Sequence, residues 1–153
     1  MAGVLVDVNS AEVALSAGVA KTVLQITAAS NHRVKILGVA IYGKGIVVTD
    51  TPIKFRILRQ TTAGTMTGGT AGTHISKHND SDDETVQTAC AINATAEPTA
   101  GDVLEFGEFH PQTGLRWYPP DGKEIIVKGG GRLGIELTAA QAQTVVAGLL
   151  LDE

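Results

Sequence analysis

Four histidines, one cysteine and a few carboxylates are the groups in this chain suited to catalysis or metal binding. His74 and His78 stand four apart, the spacing at which a helix would aim both rings at one metal ion. The stretch around them is rich in glycine and threonine and has no helical pattern, so it is read as a solvated polar loop. Asp80, Asp82, Asp83 and Glu84 follow. Their alternation loosely resembles calcium-ligand spacing, but the glycine turn and distant glutamate of a twelve-residue calcium loop are missing. An acidic cluster of this kind instead suits basic residues on a neighbouring protein.

Nucleophilic catalysis needs a base and an orienting acid within reach of the nucleophile. Cys90 sits in TACAIN with no histidine near it in sequence, and no G-x-S-x-G elbow exists. It reads as a buried, inert thiol. His110 beside Glu108 suits a surface turn. Glu97, Glu105 and Glu108 could pair as carboxylates for sugar hydrolysis, but the aromatics of a sugar cleft are few. Tyr42, Trp117 and Tyr118 are the aromatics eligible for glycan binding, with Trp117 placed to pack over a sheet end. Gly129, Gly130 and Gly131 before Arg132 lack the lysine and serine or threonine of a phosphate loop, and read as a hairpin turn. The H-x-H pair of a cupin-like metalloenzyme is absent. The residues assign no catalytic group, no metal and no cofactor, and the chain is read as not an enzyme.

The elements that would position these groups are strands. Ile53, Phe55 and Ile57 alternate with Lys54, Arg56 and Leu58, a period of two with one face on a core and one toward something polar. Further strands are expected at 22–28, 33–42, 85–94, 103–110, 115–118, 124–128, 132–138 and 144–151, with a possible extension at Ile46, Val47 and Val48. On the strand at 33–42, Val34 and Ile36 are placed on one face with Ala40 and Tyr42, and Leu37, Val39 and Ile41 on the other; Gly38 is a candidate bulge. Eight or nine strands at roughly ten-residue spacing predict an all-β chain, an antiparallel sandwich or barrel, of which a single antiparallel β-sandwich is the reading taken. Residues 1–21 are expected as an extended N-terminal arm packed on a neighbouring subunit. Residues 22–153 form the sandwich domain, with one long loop over 61–84.

Composition narrows the partners. Charged residues are 18% of the chain, against about 25% in ordinary domains. A neutral, polar surface suits strand faces buried in an assembly. The formal net charge is −4, without the basic footprint of a nucleic-acid binder. Arg33, Lys35, Lys54, Arg56 and Arg59 form a modest basic set, expected on two neighbouring strands. No direct nucleic-acid partner and no membrane partner is expected: no stretch reaches bilayer-spanning length, and the first residues lack a secretory pattern.

Several stretches resemble small structural proteins of tailed-phage head and tail gene clusters. They are TVLQITAASNHRVKILGVAI, PIKFRILRQTTAGT, AEPT and FHPQTGLRWYPPDGKEIIVKGGGRLGIEL. The chain is similar in particular to capsid decoration, or cement, proteins. The resemblance spans roughly residues 22–137. It rests most on Lys54-Phe55-Arg56 with Leu58-Arg59-Gln60, on His110-Pro111-Gln112, and on Gly130-Gly131-Arg132-Leu133-Gly134. It implies a jelly-roll-like sandwich and a homotrimer. It also implies a place on the outer surface of the virion head, where the subunit binds the major capsid protein and clamps neighbouring capsomers. Arms and long loops would make the contacts. The residues expected to meet a partner are Val4, Leu5 and Val6 of the arm, Lys54 and Arg56 of the basic strand face, and Asp80, Asp82, Asp83 and Glu84 of the acidic stretch. The alternative is a tail or baseplate component, or a glycan-binding receptor-recognition module, on the same fold.

Overall fold

A computed structural model describes residues 3–44, 50–80 and 83–153. The expected extension at Ile46–Val48 and the candidate Asp82 lie outside the described residues. Among those described there is no helix, so none is long and apolar enough to cross a membrane.

Among the described residues thirteen strands form two antiparallel sheets. Sheet A contains β1 (Leu5–Asn9), β2 (Val13–Leu15), β4 (Val34–Lys44), β7 (Ile75–Lys77), β10 (Leu115–Trp117), β11 (Ile125–Val127) and β13 (Gln143–Asp152). Its order is β10-β4-β13-β1-β7. β1 and β2 lie end to end along one side of β13, and β10 and β11 lie end to end along β4. Sheet B contains β3 (Ala20–Thr27), β5 (Ile53–Gln60), β6 (Thr65–Gly68), β8 (Ala89–Ala96), β9 (Ala100–Phe109) and β12 (Arg132–Ala139), in the order β6-β8-β3-β12-β5-β9.

The period-two pattern places the core between the sheets. Leu133, Ile135 and Leu137 of β12 meet Ile53 and Ile57 of β5, Leu24 and Ile26 of β3, and the inward row Val145, Ala147, Leu149 and Leu151 of β13. All are buried, and burial of such a side chain contributes about 1.5–3 kcal/mol.

Four expectations are corrected. Residues 1–21 are not an arm: β1 pairs with β13 over Leu5↔Asp152 to Asn9↔Gly148, and with β7 on its other side. Val4, Val6 and Val8 fill the chain's own core. Valine alternation marks a strand but cannot name its partner, which here lies more than 130 residues away. Second, the 61–84 loop carries β6 and β7, each too short to show a pattern and each held by a neighbouring strand. Third, Gly129–Gly131 is no hairpin turn, because β11 belongs to sheet A and β12 to sheet B. Fourth, Val34, Ile36, Val39 and Ile41 all point inward. The register against β13 slips by one residue at Leu37–Gly38, so the expected bulge returns the second half of β4 to the core side.

The kink between β1 and β2 is held by a buried serine. Ser10 Oγ accepts Ala147 N–H at 2.9 Å and donates to the Ala11 carbonyl at 2.8 Å, while Ala11 itself adopts φ 51°. Ser10 thereby supplies the contacts that the ladder loses where the strand bends.

Candidate interaction surface

The outer face of sheet B carries the charges that alternation sends away from the core. Reading across β12, β5 and β9, Glu136 stands opposite Arg56 and Arg56 opposite Phe106. In the next row Thr138 stands opposite Lys54 and Lys54 opposite Glu108. Arg56 binds Glu136 through Nε at 2.8 Å and Nη2 at 2.6 Å, both to Oε1. Glu136 is almost fully buried while Arg56 is half open, so the guanidinium is what keeps that carboxylate from being an unpaired buried charge. Beside the pair lies an open groove of about 530 Å³, lined by Ala20, Lys54, Phe55, Phe106, Glu108 and Thr138. Gly107 sits on its floor, where an added Cβ would come within 3.1 Å of the Phe55 ring.

Among the described residues β9 is one free edge of this sheet, pairing only with β5, and β6 is the other. Phe106 is 73% exposed, and Val103 and Leu104 beside it are also exposed. Two register shifts disturb the half of β9 before Glu105, whereas Glu105 to Phe109 runs in regular register. Bulges blunt an edge against stray pairing. The regular half stays competent to pair, and it carries the exposed phenylalanine.

Beyond Ile57 the outer face of β5 ceases to be a surface. Gln60, Gln25 and Thr22 are buried there. Gln25 Nε2 donates to Gln60 Oε1 at 2.6 Å, Gln60 Nε2 donates to Thr22 Oγ1 at 3.0 Å, and Thr22 Oγ1 donates to Glu97 Oε2 at 2.7 Å. Glu97 also accepts Thr22 N–H, at the point where β3 bulges against β12. The segments around Thr62 and Thr99 bond to each other over this chain of amides. Nothing in the sequence pattern announces the network, because Gln and Thr alternate as any solvated strand face would.

The other sequence candidates are dispersed. Val4 and Val6 are buried within the chain and Leu5 is half-buried, so these valines offer no partner contact. Asp80, Asp83 and Glu84 are exposed beyond β7, and Arg56 pairs with Glu136 rather than with them. The basic set is split: Lys35 lies in sheet A, while Lys54, Arg56 and Arg59 lie in sheet B. His74 and His78 act separately. His74 Nδ1 accepts Thr70 N–H at 3.0 Å, and His78 Nδ1 lies 2.7 Å from Asp7 Oδ2. Among the described residues no three His, Cys, Asp or Glu side chains converge as metal ligands. His110 serves its turn, its Nδ1 accepting Gln112 N–H at 3.2 Å and its carbonyl accepting Gly114 N–H at 3.0 Å. The Glu124 carboxyl is held below the usual range by backbone N–H groups, its own first and then that of Gly122.

Cys90 is buried in the core, and that burial pushes its thiol pKa above the ordinary 9.0. Only the thiolate alkylates, so iodoacetamide at pH 8 is expected to label the folded chain at least about 100-fold more slowly than the urea-unfolded chain. Equal rates would place the thiol at the surface. Folding raises this pKa, so the thiol's contribution to stability is complete below about pH 9 and is lost as the pH rises through the folded value.

On the outer face of sheet A, Tyr42, Arg116 and Tyr118 form a second exposed cluster. Arg116 donates through Nε to Tyr42 OH and through Nη1 to Tyr118 OH at 3.5 Å, and its guanidinium lies 5.9 Å from the Tyr42 ring centre. The hydrogen bond to Tyr42, then that to Tyr118, raises the Arg116 pKa further. Trp117, the neighbour between them, points the other way and packs on the core. No family model, no curated protein and no solved structure matches this chain.

Proposed function

We propose that this chain is a non-catalytic structural subunit that assembles as a homotrimer and decorates the outer surface of a viral head. There it binds the major capsid protein and clamps neighbouring capsomers. The single observation that carries the assembly half of this reading is the exposed apolar strip Phe106, Leu104 and Val103 on the β9 edge of sheet B. Monomeric proteins seldom leave a long apolar edge uncovered. A like subunit that buries this edge against a different face of its neighbour makes a head-to-tail contact, and such contacts form a ring when the rotation closes, as a three-fold one does. The low charge density is consistent with surface that ends inside an assembly. The viral half rests on the sequence resemblance. It is supported by successive strands crossing between sheets, as β3, β4 and β5 do and as β11, β12 and β13 do, a feature that jelly-roll sandwiches also have. With Val4 and Val6 committed to the core, shell contacts fall to exposed loops and to the Lys54–Glu108 face. A trimer needs only modest individual contacts, because each further contact is made at high effective concentration.

Native mass spectrometry and co-sedimentation test the reading together. A trimer that saturates expanded, undecorated heads and ignores unexpanded procapsids is the expected result. A trimer that ignores both shells points to the tail or baseplate instead, and a monomer removes the assembly reading.

A further inference from the structure

We infer that the trough on the outer face of sheet A is a binding site for a neutral saccharide. The inference is independent of where the subunit resides. Much of the floor is made by residues that almost lack side chains, since Ala40 stands opposite Gly148 with Gly38 one outward position along β4, and Leu150, between Gly38 and Asp7, adds an apolar side chain. Their row leaves an open cavity of about 320 Å³ in the middle of a sheet face. One wall is Arg116 and Tyr118, and the other is Asp7 on β1. Arg116 and β1 are separated by three strand spacings, about 14 Å between backbones, which suits a short oligosaccharide lying across the strands.

The wall groups have the chemistry that a sugar requires. Tyr118 is 60% exposed and lies on Gly38, where an added Cβ would meet its ring at 2.9 Å. Its ring can therefore take the C–H face of a pyranose. Arg116 anchors both tyrosine hydroxyls, which fixes the wall before any ligand arrives, and no carboxylate pairs with it among the described residues. Its remaining N–H groups can donate to sugar oxygens. Asp7 gives Oδ2 to His78 and keeps a second oxygen to accept sugar hydroxyls. A donor on one wall and an acceptor on the other match a polyol, whose hydroxyls do both. A few polar groups around a largely apolar concavity are the usual make-up of a small-ligand site. Asp7 and the net charge of −4 disfavour phosphorylated or sialylated ligands. A peptide strand would gain no ladder here, because the trough lies on a sheet face rather than at an edge.

The test uses the full chain on an array of neutral and acidic glycans, followed by titration calorimetry with the neutral glycan giving the strongest signal. Neutral glycans are expected to bind. Tyr118→Ala should weaken binding about tenfold through loss of the stacking face. Ala40→Leu, which fills the floor with an outward side chain, should abolish it. Both variants should keep the native mass and melting temperature of the wild type. Binding that survives Ala40→Leu, a response to acidic glycans alone, or no glycan above background would each overturn the inference.

Discussion

The Phe106→Glu protein is expected to run as a monomer at concentrations where the trimer proposed for the wild type assembles. Phe106 touches little within its own subunit, being 73% exposed on the outward face of β9, so the substitution has almost nothing to disrupt in the isolated fold. Arg56 stands opposite it and receives a new carboxylate without strain. In the assembly the balance reverses. An exposed aromatic at the centre of an apolar strip is the kind of anchor whose loss costs about 2 kcal/mol or more, close to 30-fold in association at each contact. The introduced charge would be desolvated beside Glu105 and Glu108 of the same strand. Analytical ultracentrifugation across a concentration series, with thermal melting as the control for folding, reads the effect. An unchanged sedimentation coefficient with an intact fold would remove β9 from the seam.

The second large effect is on stability. Gln60→Leu conserves approximate volume and removes the middle of the Gln25–Gln60–Thr22–Glu97 chain. Gln25 Nε2 then retains only the long 3.3 Å contact to the Thr62 carbonyl, and Thr22 Oγ1 loses its donor. Each buried polar group left without its partner costs about 1–3 kcal/mol, so the variant should lose about 3 kcal/mol in all. For a chain of this size that lowers the melting temperature by about 6–12 °C. Replacing Gln25 and Gln60 together by leucine should recover much of the loss, because no amide is then orphaned. A single variant that melts within about 2 °C of the wild type would show that water satisfies these groups equally well. The crowding at Gly134 fits the same account: a side chain there would collide with the Gln60 amide.

What could be read from the chain beforehand follows physical lines. β5 and β12 were legible because Ile53, Phe55 and Ile57, and Leu133, Ile135 and Leu137, each repeat every second residue on a strand with one buried face. That pattern admits a sandwich or a barrel, and the structure packs two antiparallel sheets together. The pattern failed where strands are short or bulged. Thr65–Gly68 and Ile75–Lys77 owe their extended form to neighbours rather than to their own side chains. At Leu37–Gly38 one extra residue reverses which face is inward. Lys54 and Arg56 were legible as an outward basic face, but Glu136 as the partner of Arg56 was not. That pair joins positions 80 apart in sequence, and only the register of β5 against β12 brings them together. Tyr42 and Tyr118 were legible as candidate aromatics, but their meeting at Arg116 was hidden for the same reason.

The place of β13 in sheet A has a bearing on biosynthesis. This strand lies between β4 on one side and β1 with β2 on the other, yet it leaves the ribosome after the other described strands of both sheets. Until then β1 and β4 have no common neighbour, and Val4 cannot form its pair of backbone hydrogen bonds with Glu153, at 3.0 and 3.1 Å. The described strands of sheet B are all present once residue 139 emerges, while sheet A waits for β13 at Gln143–Asp152. Nascent chains on polysomes would therefore hold a half-built sandwich with the apolar rows of β1 and β4 uncovered. A topology so dependent on distant pairing folds slowly and is exposed to aggregation in the interval. Growth temperature and chaperone supply should thus govern soluble yield more strongly than the stability of the finished molecule does.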